Sequence, residues 1–176
     1  YCVINIWASL ECTHFSKAKG GLARDADSRT LADHLYKYVE QLDTDYIYIE
    51  NVREFLTWGA LDENGKPIHE KKCQDYNRWR DAIKLYGYSY SYKLLNSADF
   101  CAYTSLERYV GVFARIGMPI KFPKPTHVKR SKLKDTGLKP WKAVREVLDL
   151  ENEGRSIFGL TKMGKPYSQN TLKRIY

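Results

Sequence analysis

Residues 46–52 read Tyr46-Ile47-Tyr48-Ile49-Glu50-Asn51-Val52. The first four alternate aromatic and β-branched side chains, the composition of a strand. Asp43-Thr44-Asp45 breaks the chain just ahead of them. Further back, Leu31, Leu35, Tyr38, Val39 and Leu42 recur at helical spacing on one face, behind Asp27 or Ser28 as a cap. Before that, residues 2–7 (Cys2-Val3-Ile4-Asn5-Ile6-Trp7) form an apolar run expected to be a buried strand. Strand, helix and strand in this length make a βαβ unit, with a parallel pair joined by a right-handed crossover. The expected fold class is therefore α/β.

Downstream, residues 61–72 are polar, with Asn-Gly and Lys-Pro pairs, and read as a surface loop. Tyr76, Trp79, Ile83 and Tyr86 support a helix that Gly87 stops. Residues 88–95 alternate as a strand, 96–106 are an irregular connection, and 109–114 form another strand. These two strands are expected to pair as a β-ribbon. From residue 119 onward the pattern weakens, interrupted by prolines 119, 123, 125 and 140. Residues 141–150 are expected to form a short helix, and 152–154 a turn.

The 176 residues carry a net charge of +8, and its placement is informative. Residues 117–145 hold nine Lys/Arg against one acid, Asp135. The remainder is then 29 − 9 = 20 basic against 21 − 1 = 20 acidic residues, so the whole excess sits in one segment. Clustered positive charge is the footprint expected for a phosphate backbone, against the blander reading of a solvated loop. The four cysteines and four histidines show no metal-ligand spacing, so no metal site is expected, and a reducing cytoplasmic setting is. No run is long and apolar enough for a membrane helix, and no signal peptide is evident. The chain opens inside a strand-like run without Met, which raises the expectation that a preceding part of a larger protein is missing. Such a sheet would expose an apolar edge and be poorly soluble alone.

In an open α/β sheet, ligands bind beyond the carboxyl ends of the parallel strands. Cys12 lies just past the first strand and Glu50 at the end of the second, 50 − 12 = 38 positions on. The crossover brings both to one rim, where a thiol and a carboxylate suit nucleophilic attack assisted by a general acid. Taken singly, Cys12 reads as a small buried side chain, and Glu50 as an acid ahead of a helix over residues 52–56. His14 offers Cys12 another partner, as in a thiol hydrolase, but no third orienting group is evident.

Several short motifs, in order, point to one family. Cys12-Thr13-His14-Phe15-Ser16 resembles the nucleophile motif of the DNA (cytosine-5) methyltransferases, usually Pro-Cys-Gln-x-Phe-Ser. Residues 27–31 are similar to the helix opening that comes after it, and Glu50-Asn51-Val52 to the Glu-Asn-Val signature. Residues 95–99 resemble the lead into the next motif. Residues 104–108 (Thr104-Ser105-Leu106-Glu107-Arg108) stand where Gln-x-Arg-x-Arg is found, and 171–175 resemble the start of the target recognition domain.

The resemblance implies a partial Rossmann-like methyltransferase sheet, a βαβ core plus the β-ribbon, with residues 1–125 as partial catalytic domain. Residues 126–176 would be a basic linker and the beginning of the recognition domain. It implies Cys12 as nucleophile, Glu50 as acid at the base and Arg108 as the group that holds it. Ser16, Lys17, Lys19, Arg24 and Asn51 would bind the substrate, with 16–24 a lid over a flipped cytosine. The cofactor implied is S-adenosylmethionine, and the partner double-stranded DNA in a bacterial or phage setting. Three positions depart from the family pattern: Glu11 replaces the proline, Thr104 the glutamine and Leu106 the first arginine. The glycine-rich cofactor motif is not in the chain, so its cofactor residues are not assigned. The chain is expected to be incomplete and inactive alone, a fragment or one half of a split enzyme. The alternative is a non-catalytic DNA-binding remnant.

Overall fold

The computed structural model describes residues 3–10, 32–64, 66–149, 151, 164–166 and 168. The chain divides into two compact units, Tyr1–Trp141 and Lys142–Tyr176. In the first, four strands form one mixed sheet in the order β1-β2-β4-β3: β1 is Asn5–Ser9, β2 Tyr46–Asn51, β3 Tyr88–Asn96 and β4 Glu107–Arg115. β1 and β2 are parallel, as the βαβ reading requires, with Ser9 opposite Glu50. β3 and β4 are the expected antiparallel ribbon, and β4 slots between β2 and β3. The result is an α/β, partial Rossmann-like sheet.

Alternation along the strands sorts the side chains onto two faces. Ile47, Ile49, Tyr109 and Phe113 project to one face, which is packed. Above it lie α1 (Leu35–Gln41), the 3-10 turn Arg53–Thr57 and α2 (Gln74–Leu85). Trp79 of α2 is fully buried; its ring meets Phe55 at 5.3 Å and Phe113 at 5.8 Å, both edge-on. Its indole Nε1 donates to the Ala32 carbonyl at 3.0 Å, which ties α2 to the entry of α1. Beside it, the hydroxyls of Tyr76, Tyr90 and Tyr109 satisfy one another, with Tyr76–Tyr90 at 2.5 Å and Tyr90–Tyr109 at 2.7 Å. α2 ends where the sequence places it: Gly87 adopts φ +88, a left-handed turn that suits glycine.

Four expectations are corrected. The first strand is an edge strand rather than a buried one, with Trp7 65% exposed, because among the described residues β1 pairs only on its β2 side. In α1 the apolar stripe is not all inward: Leu35 and Val39 are buried, while Tyr38 and Leu42 face solvent, since one short helix covers only one row of the sheet. Over residues 52–56 the chain is a 3-10 turn rather than an α-helix, beginning at Arg53. Among the described residues of 141–150, only Val144–Glu146 is helical, as a 3-10 turn. β-Branched Val144 opens that turn and Val147 follows it, and its length lets the Glu146 carboxylate accept from the Ala143 amide at 2.8 Å. The expected cap at Asp27 or Ser28, Leu31 and the turn 152–154 lie outside the described residues.

Gly111 of β4 is the position with least room. A Cβ there would sit 2.3 Å from the Tyr109 hydroxyl oxygen and 2.8 Å from its ring carbon Cζ, because that buried ring folds back over the strand. Gly111→Ala is therefore expected to lower stability by about 1–3 kcal/mol, as overpacking does. A urea melt checks this as a shift in midpoint at constant slope; an unchanged midpoint would show that Tyr109 has space to move.

The buried tyrosines also make the fold sensitive to alkali. Burial raises the phenols of Tyr76, Tyr90 and Tyr109, and burial beside Asp33 pushes Tyr36 up to about 12. The unfolded chain releases these protons near pH 10, whereas the folded chain keeps them. Folded pKa values above unfolded ones give stability that is complete below about pH 10 and falls as pH rises beyond it. Alkaline titration should show tyrosinate absorbance from this group rising together with loss of the fold, not before it.

Candidate active site

Both parallel strands end at one rim, and the first contact there is made by Asn51. Its side chain is 2% exposed; Nδ2 donates to the Leu10 carbonyl at 3.3 Å and Oδ1 accepts from the Val52 amide at 2.8 Å. This asparagine, expected among the substrate-binding residues, is placed by the structure as a buried tie between the exits of β1 and β2. Asparagine serves here because one side chain offers both a donor and an acceptor.

Glu50 precedes it and projects to the opposite, less covered face. Its Oε1 lies 3.0 Å from Nε of Arg108, one residue into β4. The two side chains are 31% and 36% exposed, so the pair faces solvent and is screened by it. Arg108 Nη1 also donates to the Glu107 carbonyl at 3.1 Å. Two residues 58 positions apart (108 − 50 = 58) therefore meet because β4 runs antiparallel beside β2, with Glu50 opposite Val110. The structure thus brings together two of the three expected catalytic residues. Cys12, Ser16, Lys17, Lys19 and Arg24, with Glu11 and His14, lie outside the described residues.

The rim holds further groups that the sequence reading missed. Arg53 Nη1 contacts Glu107 Oε1 at 3.2 Å, a second ion pair between the exit of β2 and the start of β4. Lys93 of β3 shares Val110 as cross-strand neighbour with Glu50, so it stands in the same row and on the same face. The alternation of β3, which sends Tyr90 and Tyr92 to the packed face, carried that signal. Leu106, where the family has its first arginine, is 48% exposed.

Beside β1 is an apolar cleft of about 290 Å³ lined by Ile6, Trp7, Ala8, Leu10, His34, Leu35 and Tyr38. Its aromatic and aliphatic walls can take a flat heteroaromatic ring, but none of these side chains is an acid able to hold a ribose diol. Among the described residues no group of His, Cys, Asp and Glu could hold a metal ion, and no helix is long and apolar enough to cross a membrane.

An acid and a guanidinium at the carboxyl rim of a partial Rossmann-like sheet define the class as an α/β protein with its polar site at the strand ends. Residues 5–154 match the model of the C-5 cytosine-specific DNA methylases, and the chain belongs to that family. It is 28% identical over 142 residues to the type II methyltransferase M.AquIA of Picosynechococcus, covering 78% of this chain and 56% of that protein. It is 28% identical over 173 residues to the type II methyltransferase M.BsuRI of Bacillus subtilis, covering 97% of this chain and 34% of that protein. The chain thus spans about half or a third of the length of these relatives. A solved variant of Spodoptera frugiperda DNMT2 aligns at 23% identity and a TM-score of 0.45, over 68% of this chain and 32% of that one. So partial an overlap carries no argument.

Asn51→Ala would strip the Leu10 carbonyl and the Val52 amide of their partner. The expected loss is about 1–3 kcal/mol of stability, read as a lower denaturation midpoint. Hydrogen exchange at Val52 should quicken in the same variant; unchanged exchange would mean that water replaces the side chain.

Proposed function

We propose that this chain is the catalytic-centre portion of a DNA (cytosine-5) methyltransferase, acting on a cytosine flipped out of duplex DNA. The observation that carries the reading is the contact of Glu50 with Arg108 at the rim where β1 also ends. Cys12, two residues past Leu10, is the nucleophile. Its thiolate adds to C6 of the base, which drives electron density onto C5 and leaves charge at N3. The Glu50 carboxyl neutralises N3, and Arg108 holds the O2 edge of the ring. S-adenosylmethionine, when bound, supplies the methyl group that C5 accepts. A base then removes the C5 proton and the Cys12–C6 bond breaks, which restores the thiolate. Ser16, Lys17, Lys19 and Arg24 belong to the lid over the base, where they meet phosphates. Asn51 positions the rim.

The cleft beside β1, with Trp7, His34 and Tyr38 in its lining, would take the flat adenine of the cofactor but would supply no acid for its ribose. On this reading residues 1–125 are catalytic and 126–176 lead into the recognition domain, in the cytoplasm of a bacterium or infected cell.

A non-catalytic DNA-binding remnant is the second reading. It is favoured by one observation: exposed Leu106 stands where the family carries a guanidinium.

Trapping on duplex DNA containing 5-fluorocytosine separates the two. With S-adenosylmethionine and the family's glycine-rich cofactor segment supplied, the wild-type chain should run as a covalent DNA adduct on a denaturing gel. Equal trapping of Cys12→Ser would sink the catalytic reading, and no trapping of wild type would favour the remnant. Glu50→Gln should slow adduct formation on the order of 10²–10⁴-fold, the range of a lost general acid. It should cost at most about 1 kcal/mol of stability, because the Arg108 pair is solvent-screened.

A further inference from the structure

Past β4 the chain does not leave the sheet. The Ile116 amide bonds the Gly87 carbonyl at 3.0 Å, at the end of the sheet far from the rim. Tyr46, at the start of β2, then donates its hydroxyl to the Pro119 carbonyl at 3.0 Å. Phe122 receives the Lys93 ammonium over its ring at 5.4 Å. Thr126 bonds the Asp99 carbonyl at 2.9 Å, three residues beyond the end of β3. Tyr46 and Lys93 both project to the face that carries Glu50, so residues 116–126 form a strap across that face, antiparallel to β4. Eleven residues at about 3.1 Å each reach roughly 34 Å, enough to pass a nine-residue strand of about 30 Å. Pro119, Pro123 and Pro125 keep the strap extended.

The strap delivers residues 127–141 to the rim. There the short parallel strands β5 (His127–Val128) and β6 (Lys139–Pro140) close the base of a loop. Trp141 locks that base, its indole donating to Asp99 Oδ1 at 2.8 Å. Inside the loop, bonds from Lys132 to Lys129 and from Thr136 to Leu133 set successive turns. Asp135 and Gly137, at φ +60 and +66, reverse the chain.

Among the described residues ahead of the strap, every arginine is neutralised. Arg53, Arg78, Arg80, Arg108 and Arg115 each pair with a carboxylate. Lys129, Arg130, Lys132 and Lys134 are all exposed, and among the described residues none has an ion-pair partner. A loop for solubility needs no such anchor, whereas one that must meet a fixed array of phosphates does. We propose that Lys129, Arg130, Lys132 and Lys134 form a phosphate-binding loop, held by the Asp99–Trp141 bond, that grips the backbone of duplex DNA beside the target base. This deepens the methyltransferase reading and rests on it for the choice of DNA.

The test is anisotropy of the full chain with a labelled mixed-sequence duplex over a range of salt. Each phosphate contact contributes about 0.9 to the slope of log affinity against log salt. The variant K129Q/R130Q/K132Q/K134Q should lose about two to four units of slope and more than tenfold in affinity. The control K37Q/K66Q/K71Q/K72Q removes the same charge from exposed sites elsewhere and should lose less than about one unit. Equal losses in the two variants, or no duplex binding by wild type, would overturn the loop. Equally strong, loop-dependent binding of single-stranded RNA would overturn the duplex assignment. Adduct formation on 5-fluorocytosine DNA reports on the catalytic reading separately, since a failed adduct with an intact slope difference leaves the loop standing.

Discussion

Two buried polar side chains, one at each end of β2, set the register on which the rest depends. Asp45 precedes the strand and accepts the Ile4 amide at 2.8 Å, while its own amide bonds the Ile4 carbonyl at 2.8 Å. Asn51 closes the other end against Leu10. A slip of one residue would exchange the faces of every side chain in the strand. Ile47 and Ile49 would turn outward, and Glu50 would point into the aromatic core. Apolar packing alone resists such a slip weakly at an edge strand, where β1 itself is largely exposed. Directional bonds at both ends supply the resistance that packing does not.

With the register fixed, the two faces divide the work. One face is closed by Trp79, Phe55 and the three hydroxyl-linked tyrosines, so it is rigid and dry. The other carries Glu50, Arg108 and Lys93, crossed by the proline-rich strap. Rigidity on one side allows polar groups on the other to remain partly open without loss of the fold. The Glu50–Arg108 pair adds little stability at its exposure. Its position is a consequence of β-pairing, which costs nothing extra once β4 lies beside β2.

Much of this is legible in the sequence, because it depends on local period. The alternation at 46–49 and 88–95 and the helical spacing of Tyr76, Trp79 and Ile83 each mark an element within its own few residues. The carboxyl-rim rule then puts Glu50 at the end of β2, where the structure has it. Contacts between distant segments are not legible. Nothing local to 107–115 says that the strand inserts beside β2 and brings Arg108 to Glu50. Asn51 enters as a substrate-binding residue through the Glu-Asn-Val resemblance; its bond to the Leu10 carbonyl, 41 positions earlier, has no local signal. The prolines of the strap read only as interruptions of the pattern. Their partners, Tyr46, Lys93 and Asp99, belong to other elements.

The charge distribution gives the strap its logic. The arginines of β4 and α2 are neutralised by carboxylates, and Lys93 of β3 lies over the Phe122 ring. Such neutralised groups attract no polyanion. Positive charge suited to a polyanion is gathered outside the sheet, on backbone that is fixed but not packed. A tethered loop meets both conditions, and a tether that returns to the strand-end rim puts that charge beside the acid and the guanidinium. Field strength falls within about 8 Å at physiological salt, so charge elsewhere on the molecule would act on the encounter but not on the bound geometry. The route of the chain from Arg115 to Trp141 is thus as much a part of the site as the residues at its centre.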